Sequence, residues 1–493
     1  MKFLNKLFHL DEKNASIRKE IVGGLVVFIS MCYILPVNAS ILADMGMSQV
    51  GVFAMTAIVS AFVTLLMGIL TNYPIVLSAG MAINAYIAYT VCIGLGFSWQ
   101  KSMILLTIAG IIFFIISLTP IRKKIIEAIP HDIQYAISAA LGAFICFVGL
   151  RNSGIIDFSP TTLVQLGNFA DPSVLIAILM VVVCFGLMVS KVNWLSNFAI
   201  PIAILFAAIV GLIVSTIMYN TGSLYQEGTF WYYKILGSDI PVECHLPIVP
   251  WLTGEQFGMR GIEDVLFFGA LTDQYDGAKF GNDLASIFTS PACYAAIFSL
   301  VFINLFNATA TILAVGRPTG LIDEEGRMKD YRKVVMVDAT GALICAPLGT
   351  STVTCFAETS IGVSMGAKTG LAAVTAGLAF LLCSFIYPMF SIFTSGAVTA
   401  PALVCVGAMI FINNFREINL KDKVYAFTGF IIVIFSILCY SIASGIGIGL
   451  FVYIAMMLGS GRIKEVKPTI YVVAGLFLIS FVLTTLMPLI SGN

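Results

Sequence analysis

Long apolar runs separated by short polar connections dominate the pattern of this chain. A run of about 20 apolar residues can cross a bilayer as a helix, because each helical residue adds roughly 1.5 Å. The pattern therefore predicts an all-α, polytopic membrane protein with about 14 transmembrane segments. The candidate spans fall at residues 21–43, 50–70, 75–96, 100–120, 132–150, 173–190, 194–218, 290–316, 334–348, 350–366, 368–388, 394–412, 423–441 and 443–460, and a trailing apolar run follows at 469–489.

Two of these runs are interrupted in mid-length, one in each half of the chain. Within Pro347–Leu371, small and hydroxylated residues lead into a β-prone piece, Ser351–Phe356, and then to the carboxylate of Glu358. The stretch Leu70–Ala85 is broken in the same way before Asn84. Non-helical backbone at membrane depth is tolerated only where it is buried in protein or lines a cavity. We therefore predict two discontinuous helices, each an extended piece followed by a half-helix whose N-terminal N–H groups point at a ligand.

Such a pair of breaks is typical of transporters built from inverted repeats, with the substrate site at the bilayer midplane. The alternative is a re-entrant packing kink in which Glu358 is only a structural carboxylate.

Composition and charge exclude several other classes of protein. Hydrophobic residues make up 59% of the chain and charged residues 11%, against roughly 45–50% and 25% in soluble domains. Lys+Arg and Asp+Glu number 26 each, so no basic surplus indicates a nucleic-acid partner. The three histidines, His9, His131 and His245, are too far apart to suggest a metal site. We expect no enzyme activity, no catalytic residue, no metal and no cofactor, with a proton as the coupling ion.

The placement of charge predicts the orientation in the membrane. Basic clusters stay on the cytoplasmic side of a bacterial-type membrane protein, and here each cluster follows an even number of predicted spans. The N-terminus is therefore expected in the cytoplasm, and the acidic insert 219–288 outside, as a structured cap or a disordered loop. The run 469–489 either spans the membrane or lies along its interface. The basic clusters are at residues 122–124, 191, 317–333, 416–423 and 462–467.

Polar side chains inside apolar runs are the candidates for chemistry. Glu358 can hydrogen-bond a planar ligand rich in N–H groups and can carry a proton. Asn84 matches it in the first broken segment, either as a ligand contact or as a cap of the half-helix. Asn304 and Asn307 recur at helical spacing, so they face either the cavity or a neighbouring helix. Asp338 is a second intramembrane carboxylate, with a structural or a proton-coupling role.

The broken segments carry the specific motifs YPIVLSAGMAINAYIAYTV at 73–91, PLGTSTVTCFAETSIGV at 347–363 and AKTGLAAV at 367–374. These motifs resemble the AzgA-like purine permeases, within the nucleobase-ascorbate transporter and xanthine/uracil permease superfamily. The resemblance implies a 7+7 inverted repeat in which a core domain (spans 1–4 and 8–11) moves against a gate domain (spans 5–7 and 12–14). It also implies uptake of hypoxanthine, guanine or adenine with protons, and site roles for Asn84, Glu358 and Asp338.

The chain departs from the family pattern in the eighth span. The family usually has acidic residues where this chain has Asn304 and Asn307, and proline where it has Ala79. Asparagine keeps the hydrogen-bonding capacity of an acid but cannot exchange a proton. We therefore expect a planar, nucleobase-like ligand and a coupling proton carried by Glu358.

The sequence thus supports the hypothesis of a multi-pass plasma-membrane (inner-membrane) transporter that imports a purine base by proton symport and alternating access. Its partners are the base and the lipid bilayer, and a homodimer is one assembly we consider. The alternatives are a carrier of another planar heterocycle, a facilitator without proton coupling, and an anion permease of the related sulfate-transporter fold. The expected substrate-binding residues are Glu358, Asn304, Asn307, Asn84, Ala79, Ala357 and Phe356, and the proton-coupling residues are Glu358 and Asp338. The expected regions are a cytoplasmic segment 1–20, a core domain 21–120 and 289–390, a gate domain 121–218 and 391–468, the insert 219–288 and a trailing segment 469–493.

Overall fold

The structure, a computed structural model, shows a helical protein built for a membrane. Among the residues it describes, six helices are long and apolar enough to cross a bilayer, or up to eight if two bent helix pairs are each one span. Shorter apolar helices accompany them. The chain is therefore an integral, multi-pass membrane protein. The structure describes residues 2–491 except 120–121, 123–128, 160, 228–229, 235–240, 249–257, 259, 267–276, 317–330, 357 and 440.

The elements of the first half follow the apolar runs, with one hairpin that the pattern did not predict. The run 194–218 forms two helices, since the first one ends at Asn197 and the second begins at Ala199. The elements are α1 (Lys2–Phe8), α2 (Ile17–Met31), α3 (Ile34–Ala43), α4 (Gln49–Thr71), β1 (Leu77–Ala79), α5 (Met81–Ala85), a π-helix (Tyr86–Ile93), α6 (Trp99–Leu118), α7 (His131–Asn152), β2 (Ile156–Ser159), β3 (Leu163–Leu166), α8 (Pro172–Met188), α9 (Asn193–Asn197) and α10 (Ala199–Asn220).

The second half opens with the described parts of the insert and then returns to apolar helices. Its elements are β4 (Leu224–Glu227), β5 (Phe230–Lys234), β6 (Pro241–Glu243), α11 (Ile262–Val265), α12 (Gly277–Thr289), α13 (Pro291–Gly316), α14 (Tyr331–Ile344), β7 (Val353–Cys355), α15 (Thr359–Ser364), α16 (Gly370–Cys383), α17 (Tyr387–Phe390), a 3₁₀ helix (Ser391–Thr394), α18 (Gly396–Phe415), α19 (Lys423–Leu438), α20 (Ile442–Gly459), a 3₁₀ helix (Ile463–Glu465) and α21 (Pro468–Ser491).

Helix packing divides the long helices into two bundles, and each bundle takes helices from both halves of the chain. In the first bundle α4 packs against α16, with α2, α3, α6, α13 and α14 beside them. In the second bundle α7 packs against α18, with α8, α10, α19 and α20 beside them. Contacts of α3 with α18, and of α5 and α13 with α7, join the two bundles.

Each bundle contains a crossing at which two glycines meet. A Cβ atom built on Gly370 of α16 would lie 1.9 Å from the carbonyl oxygen of Gly68 on α4. A Cβ atom on Gly407 of α18 would lie 2.6 Å from the carbonyl oxygen of Gly142 on α7. Cβ atoms do not approach backbone so closely, so these helices can touch only because both residues are glycine.

The N-terminal segment is more closely tied to the membrane helices than its mixed charge predicts. Helix α2 already begins at Ile17, before the expected boundary at residue 20, and Glu20 is fully buried. The Glu20 carboxylate accepts hydrogen bonds from the backbone N–H groups of Lys368 (2.7 Å) and Thr369 (3.2 Å). It therefore satisfies backbone donors ahead of α16 that the helix itself leaves unpaired.

The described part of the insert contains a structured element, a three-stranded antiparallel sheet of β4, β5 and β6. The hydroxyl of Tyr233 on β5 donates to the carboxylate of Asp171, 2.6 Å away at the start of α8. Burial raises the pKa of the Tyr233 phenol above its ordinary value, so this hydroxyl stays a donor at neutral pH. The insert is thus anchored to a helix of the second bundle.

Candidate functional site

The two interrupted segments meet at one place in the structure. Strands β1 and β7 pair in antiparallel fashion, with Leu77 opposite Cys355. The Gly80 N–H group donates to the carbonyl oxygen of Thr352 at 2.8 Å, so it is already engaged and does not point at a ligand. The predicted extended pieces are confirmed, and their pairing joins the two halves of the chain.

We call the paired strands β1 and β7 the ribbon. Buried backbone N–H and C=O groups need hydrogen-bond partners, and side chains supply them on both outer edges of the ribbon. The hydroxyl of Thr64 on α4 accepts from the Leu77 N–H group (3.0 Å) and donates to the Leu77 carbonyl (2.9 Å). On the opposite edge, Oδ1 of Asp338 on α14 accepts from the Thr354 hydroxyl (2.9 Å) and the Cys355 N–H group (3.3 Å). Neighbouring helices thus supply partners for Leu77 on one edge and for Cys355 on the other.

Asp338 is also part of a buried ion pair. Its Oδ2 atom lies 3.8 Å from Nη2 of Arg122, and the two side chains are 1% and 4% exposed. The guanidinium also donates to the Ser117 hydroxyl at 3.1 Å and lies over the ring of Phe113 at 4.9 Å. The sequence places Arg122 in a cytoplasmic cluster with residues 123–124, and that assignment of sides stays a prediction. The structure shows that Arg122 itself is buried, and residues 123–124 lie outside the described part.

Glu358 lies between the ribbon and α15 and is the residue directly before the first turn of that helix. The Tyr33 hydroxyl donates to its Oε1 atom at 3.3 Å. Tyr33 sits at the break between α2 and α3 and is 3% exposed. Within the described residues no basic side chain forms an ion pair with Glu358. Unlike Asp338, this carboxyl group therefore has no charged partner in the part of the chain that the structure describes.

Asn84 and Asn304 each present a buried polar atom that has no hydrogen-bond partner among the described residues. Asn84, on α5, donates from Nδ2 to Oδ1 of Asn38 at 2.5 Å, while its own Oδ1 has no partner. Asn304, on α13, is 2% exposed, and its Nδ2 has no partner. Helix α13 packs against both α5 and β7, so one unused acceptor and one unused donor belong to elements that meet at the ribbon.

The other predicted site residues are placed less informatively. Ala79 is fully buried within β1, and Phe356 is half-buried directly after β7. Ala357 and the side chain of Asn307 lie outside the described residues.

A model of the Permease family, Xan_ur_permease, matches residues 18–448, which is most of the chain. The chain belongs to this permease family. It is similar to the guanine/hypoxanthine permease PbuG of Bacillus subtilis, with 36% identity over 97% of this chain and 99% of the relative. It is also similar to the adenine permease AdeP of Escherichia coli, with 29% identity over 97% of this chain and 96% of the relative. The predicted resemblance to purine permeases is confirmed.

The fold of this permease is shared with a solved anion carrier. The transmembrane domain of the cyanobacterial bicarbonate transporter BicA matches with a TM-score of 0.57 at 13% identity, over 88% of this chain and 97% of that one. Because the match covers most of both chains, the permease has the fold of that transporter domain.

As a member of the permease family the chain is a transporter and not an enzyme. The pentapeptide Gly362–Gly366 does match the pattern G-x-S-x-G of serine hydrolases. That motif needs its serine on a sharp turn between a strand and a helix. In the permease Ser364 is the last residue of α15, not the first residue after a strand.

Several residues around the ribbon were missed by sequence reasoning. Tyr33, Asn38, Thr56 and Thr64 lie in the first two apolar runs, where a single hydroxyl or amide barely changes the hydropathy. Asn38 carried the clearest signal, because an amide within the apolar stretch ILPVNASILA is costly unless it is hydrogen-bonded.

Proposed function

We propose that this permease imports purine nucleobases across the plasma membrane by alternating access, as a proton symporter. The similar proteins named above are purine permeases, one for guanine and hypoxanthine and one for adenine. A purine base offers N–H donors and ring or carbonyl acceptors in one plane, which suits a site made of carboxyl and amide groups.

The observation that carries the proposal is the pair of buried, unused polar atoms beside the ribbon. Oδ1 of Asn84 and Nδ2 of Asn304 have no partner among the described residues, and each such atom costs about 1–3 kcal/mol. A ligand that accepts from one and donates to the other recovers that cost on binding. In this proposal Glu358 and Asn304 hold the edge of the base, Asn84 and Asn307 line the cavity, and the backbone from Ala79 and from Phe356 to Ala357 closes it.

Glu358 is the group to which we assign the coupling proton. It has a hydroxyl neighbour, Tyr33, and no ion-pair partner among the described residues. Protonation of Glu358 therefore leaves no buried cation of the described part without its counter-ion. Asp338 is already engaged by Arg122, Thr354 and Cys355. We therefore assign Asp338 a supporting part in proton coupling, in which it holds β7 in position. We propose no resident cofactor.

The proposal includes a topology of about 14 spans in a 7+7 inverted repeat, with the N-terminus in the cytoplasm and the insert 219–288 outside. The composition of the two bundles supports a core domain and a gate domain that move against each other, since each bundle contains corresponding helices from both halves. A homodimer is the assembly we propose to test first.

Fold similarity to a bicarbonate transporter favours one second candidate, an anion permease. The position of Glu358 beside the ribbon argues against it, because a carboxylate repels an anion that would bind there. Uptake assays distinguish the purine permease from the anion permease, because the two take up different substrates.

The experiment is uptake of radiolabelled hypoxanthine, guanine, adenine, xanthine and uracil into cells that lack their own permeases, with and without a proton uncoupler. Uncoupler-sensitive accumulation of a purine is the expected result. Equilibrating uptake would identify a facilitator, and bicarbonate or sulfate uptake without uptake of any base would contradict the proposal. Asn304→Asp, which restores the acidic residue usual in the family, is expected to change the pH dependence of uptake while the protein still folds.

A further inference from the structure

A chain of buried hydrogen bonds runs from α4 to Asn84, and the direction of every proton in it can be worked out. It begins at Thr56, whose Oγ1 lies 2.6 Å from the carbonyl oxygen of Val52. A carbonyl carries no proton, so the proton between these two oxygens belongs to Thr56. The hydroxyl of Thr350 lies 2.7 Å from the same Oγ1, and because the Thr56 proton is already used, Thr350 must be the donor there.

The orientation of the Asn38 amide follows from these two hydroxyls. One end of this amide lies 2.7 Å from Oγ1 of Thr56 and 3.1 Å from Oγ1 of Thr350. Both hydroxyl protons point elsewhere, so both oxygens can only accept, and the amide end that faces them must be the NH₂ group. Amide ends are assigned from their hydrogen-bond network in this way. The carbonyl end of Asn38 therefore points to the other side, where the Ser351 hydroxyl donates to it at 3.0 Å.

The same reasoning fixes Asn84. The atom of Asn84 that lies 2.5 Å from Oδ1 of Asn38 must be a donor, so it is Nδ2. The second neighbour of Nδ2 is the sulfur of Met81, at 3.9 Å, a weak acceptor that suits its other proton. What remains is Oδ1 of Asn84, which belongs to a fully buried residue and has no partner among the described residues.

We infer that Asn38 is a positioning residue that turns Asn84 so that the site presents a hydrogen-bond acceptor, and that this acceptor selects bases with an N–H group at the matching ring position. The inference rests on the proposed function, since it concerns the ligand of the same site. It distinguishes Asn84 from Glu358, which can donate or accept according to its protonation. An amide locked by a buried relay has only one of these options.

The consequence is a preference among ring positions of the base. Hypoxanthine carries N–H groups on both of its rings, and methylation of one nitrogen replaces a donor by an apolar group. A methyl group at the nitrogen that faces Asn84 leaves Oδ1 buried and unpaired, which corresponds to roughly a 10- to 100-fold loss of affinity. The 7- and 9-nitrogens of hypoxanthine share one proton, so a methyl group on either removes the N–H donor of that ring. Methylation of the ring that does not face Asn84 does not produce this particular loss.

The experiment measures binding of hypoxanthine and its 1-methyl, 7-methyl and 9-methyl derivatives to the purified full-length permease, by displacement of radiolabelled hypoxanthine. The test variant is Thr56→Val, which keeps the shape of residue 56 but removes the hydroxyl that starts the relay. The Asn38 and Asn84 amides can then both turn over, with Thr350 donating to the carbonyl of Asn38. Thr56→Ser keeps the hydroxyl and serves as the conservative variant.

Ser60→Ala is the matched control for a loss of packing. Ser60 lies one turn from Thr56 on the same helix and hydrogen-bonds the Ser78 hydroxyl at 3.0 Å, also buried, but it is outside the relay. A general loosening of the packing around α4 would therefore affect Ser60→Ala as much as Thr56→Val.

We expect the wild-type permease to bind one or more methylated derivatives at least about tenfold more weakly than hypoxanthine, and Thr56→Val to lose most of that difference. Thr56→Ser and Ser60→Ala should keep it. The inference is overturned if Thr56→Val keeps the full difference, if Ser60→Ala loses it equally, or if the wild type discriminates against none of the derivatives. Failure of the wild type to bind any purine would overturn the proposed function itself.

Discussion

The ion pair between Arg122 and Asp338 provides a prediction whose size can be worked out from the contacts. Arg122→Met removes the guanidinium but keeps most of the side-chain volume. Asp338, 1% exposed, is then left without the charge 3.8 Å away, and breaking a buried pair on one side costs about 3–5 kcal/mol. The loss includes about 1 kcal/mol each for the Ser117 hydrogen bond and the Phe113 contact.

The double variant Arg122→Met with Asp338→Asn separates these contributions. Asparagine keeps an oxygen that can accept from Thr354 and from the Cys355 N–H group, and it leaves no unpaired charge. We therefore expect the double variant to lose only about 1–2 kcal/mol, which makes it about 2–3 kcal/mol more stable than Arg122→Met alone.

The assay is chemical denaturation of the purified permease in mixed micelles, together with purine uptake. The double variant should still accumulate purine against its gradient, since Glu358 carries the proton in this account. A double variant as unstable as Arg122→Met alone would refute the reasoning about the ion pair. A stable double variant that cannot accumulate purine would return the coupling proton to Asp338.

Three further predictions follow from contacts away from the ligand. Thr64→Val leaves the N–H and C=O groups of Leu77 buried and unpaired, so it should cost about 1–3 kcal/mol per group in free energy of unfolding, whereas Thr64→Ser should cost little. Gly370→Ala places a Cβ atom 1.9 Å from a backbone oxygen of α4, so in thermal denaturation it should destabilise the contact between α4 and α16 by at least about 1–3 kcal/mol. Gly186 is a helical glycine with no neighbour within 4 Å, so Gly186→Ala should stabilise the protein by about 0.5–1 kcal/mol. The hydrogen bond from Arg462 (2.7 Å) lowers the pKa of Asp422 below its ordinary value. The ionised Asp422 therefore stabilises the fold above about pH 4, and this contribution is lost as the pH falls through the lowered pKa. Asp422→Asn should keep the cap on the Val424 N–H group but remove this pH dependence, and a stability that falls with acid equally in Asp422→Asn would contradict the assignment.

The positions of the broken helices were predictable from the sequence, because a break in an apolar run changes local hydropathy and backbone preference at once. The β-prone piece Ser351–Phe356 indeed contains β7, and Leu70–Ala85 contains β1. Glu358 and Asn84 stood out for the same reason, as costly polar groups beside such a break.

The partners of these residues were not predictable. Asn38 and Asn84 meet across 46 residues of chain, and Tyr33 and Glu358 across 325. No local pattern encodes such contacts, because periodicity reports which face of a helix is buried but not what it is buried against. The burial of Arg122 was not predictable for the same reason, since its counter-ion Asp338 lies on α14 and no local pattern connects the two residues.

The assignment of the coupling proton to Glu358 can be decided by the accumulation ratio of a radiolabelled purine in cells that carry wild-type permease or Glu358→Gln, at one fixed proton gradient. Glutamine keeps the size and the hydrogen-bonding capacity of the side chain but cannot bind and release a proton. We expect the wild type to concentrate the base above its external level and the Gln variant to reach no more than equilibrium, while it still exchanges internal for external base. Accumulation by Glu358→Gln to the wild-type level would contradict the account.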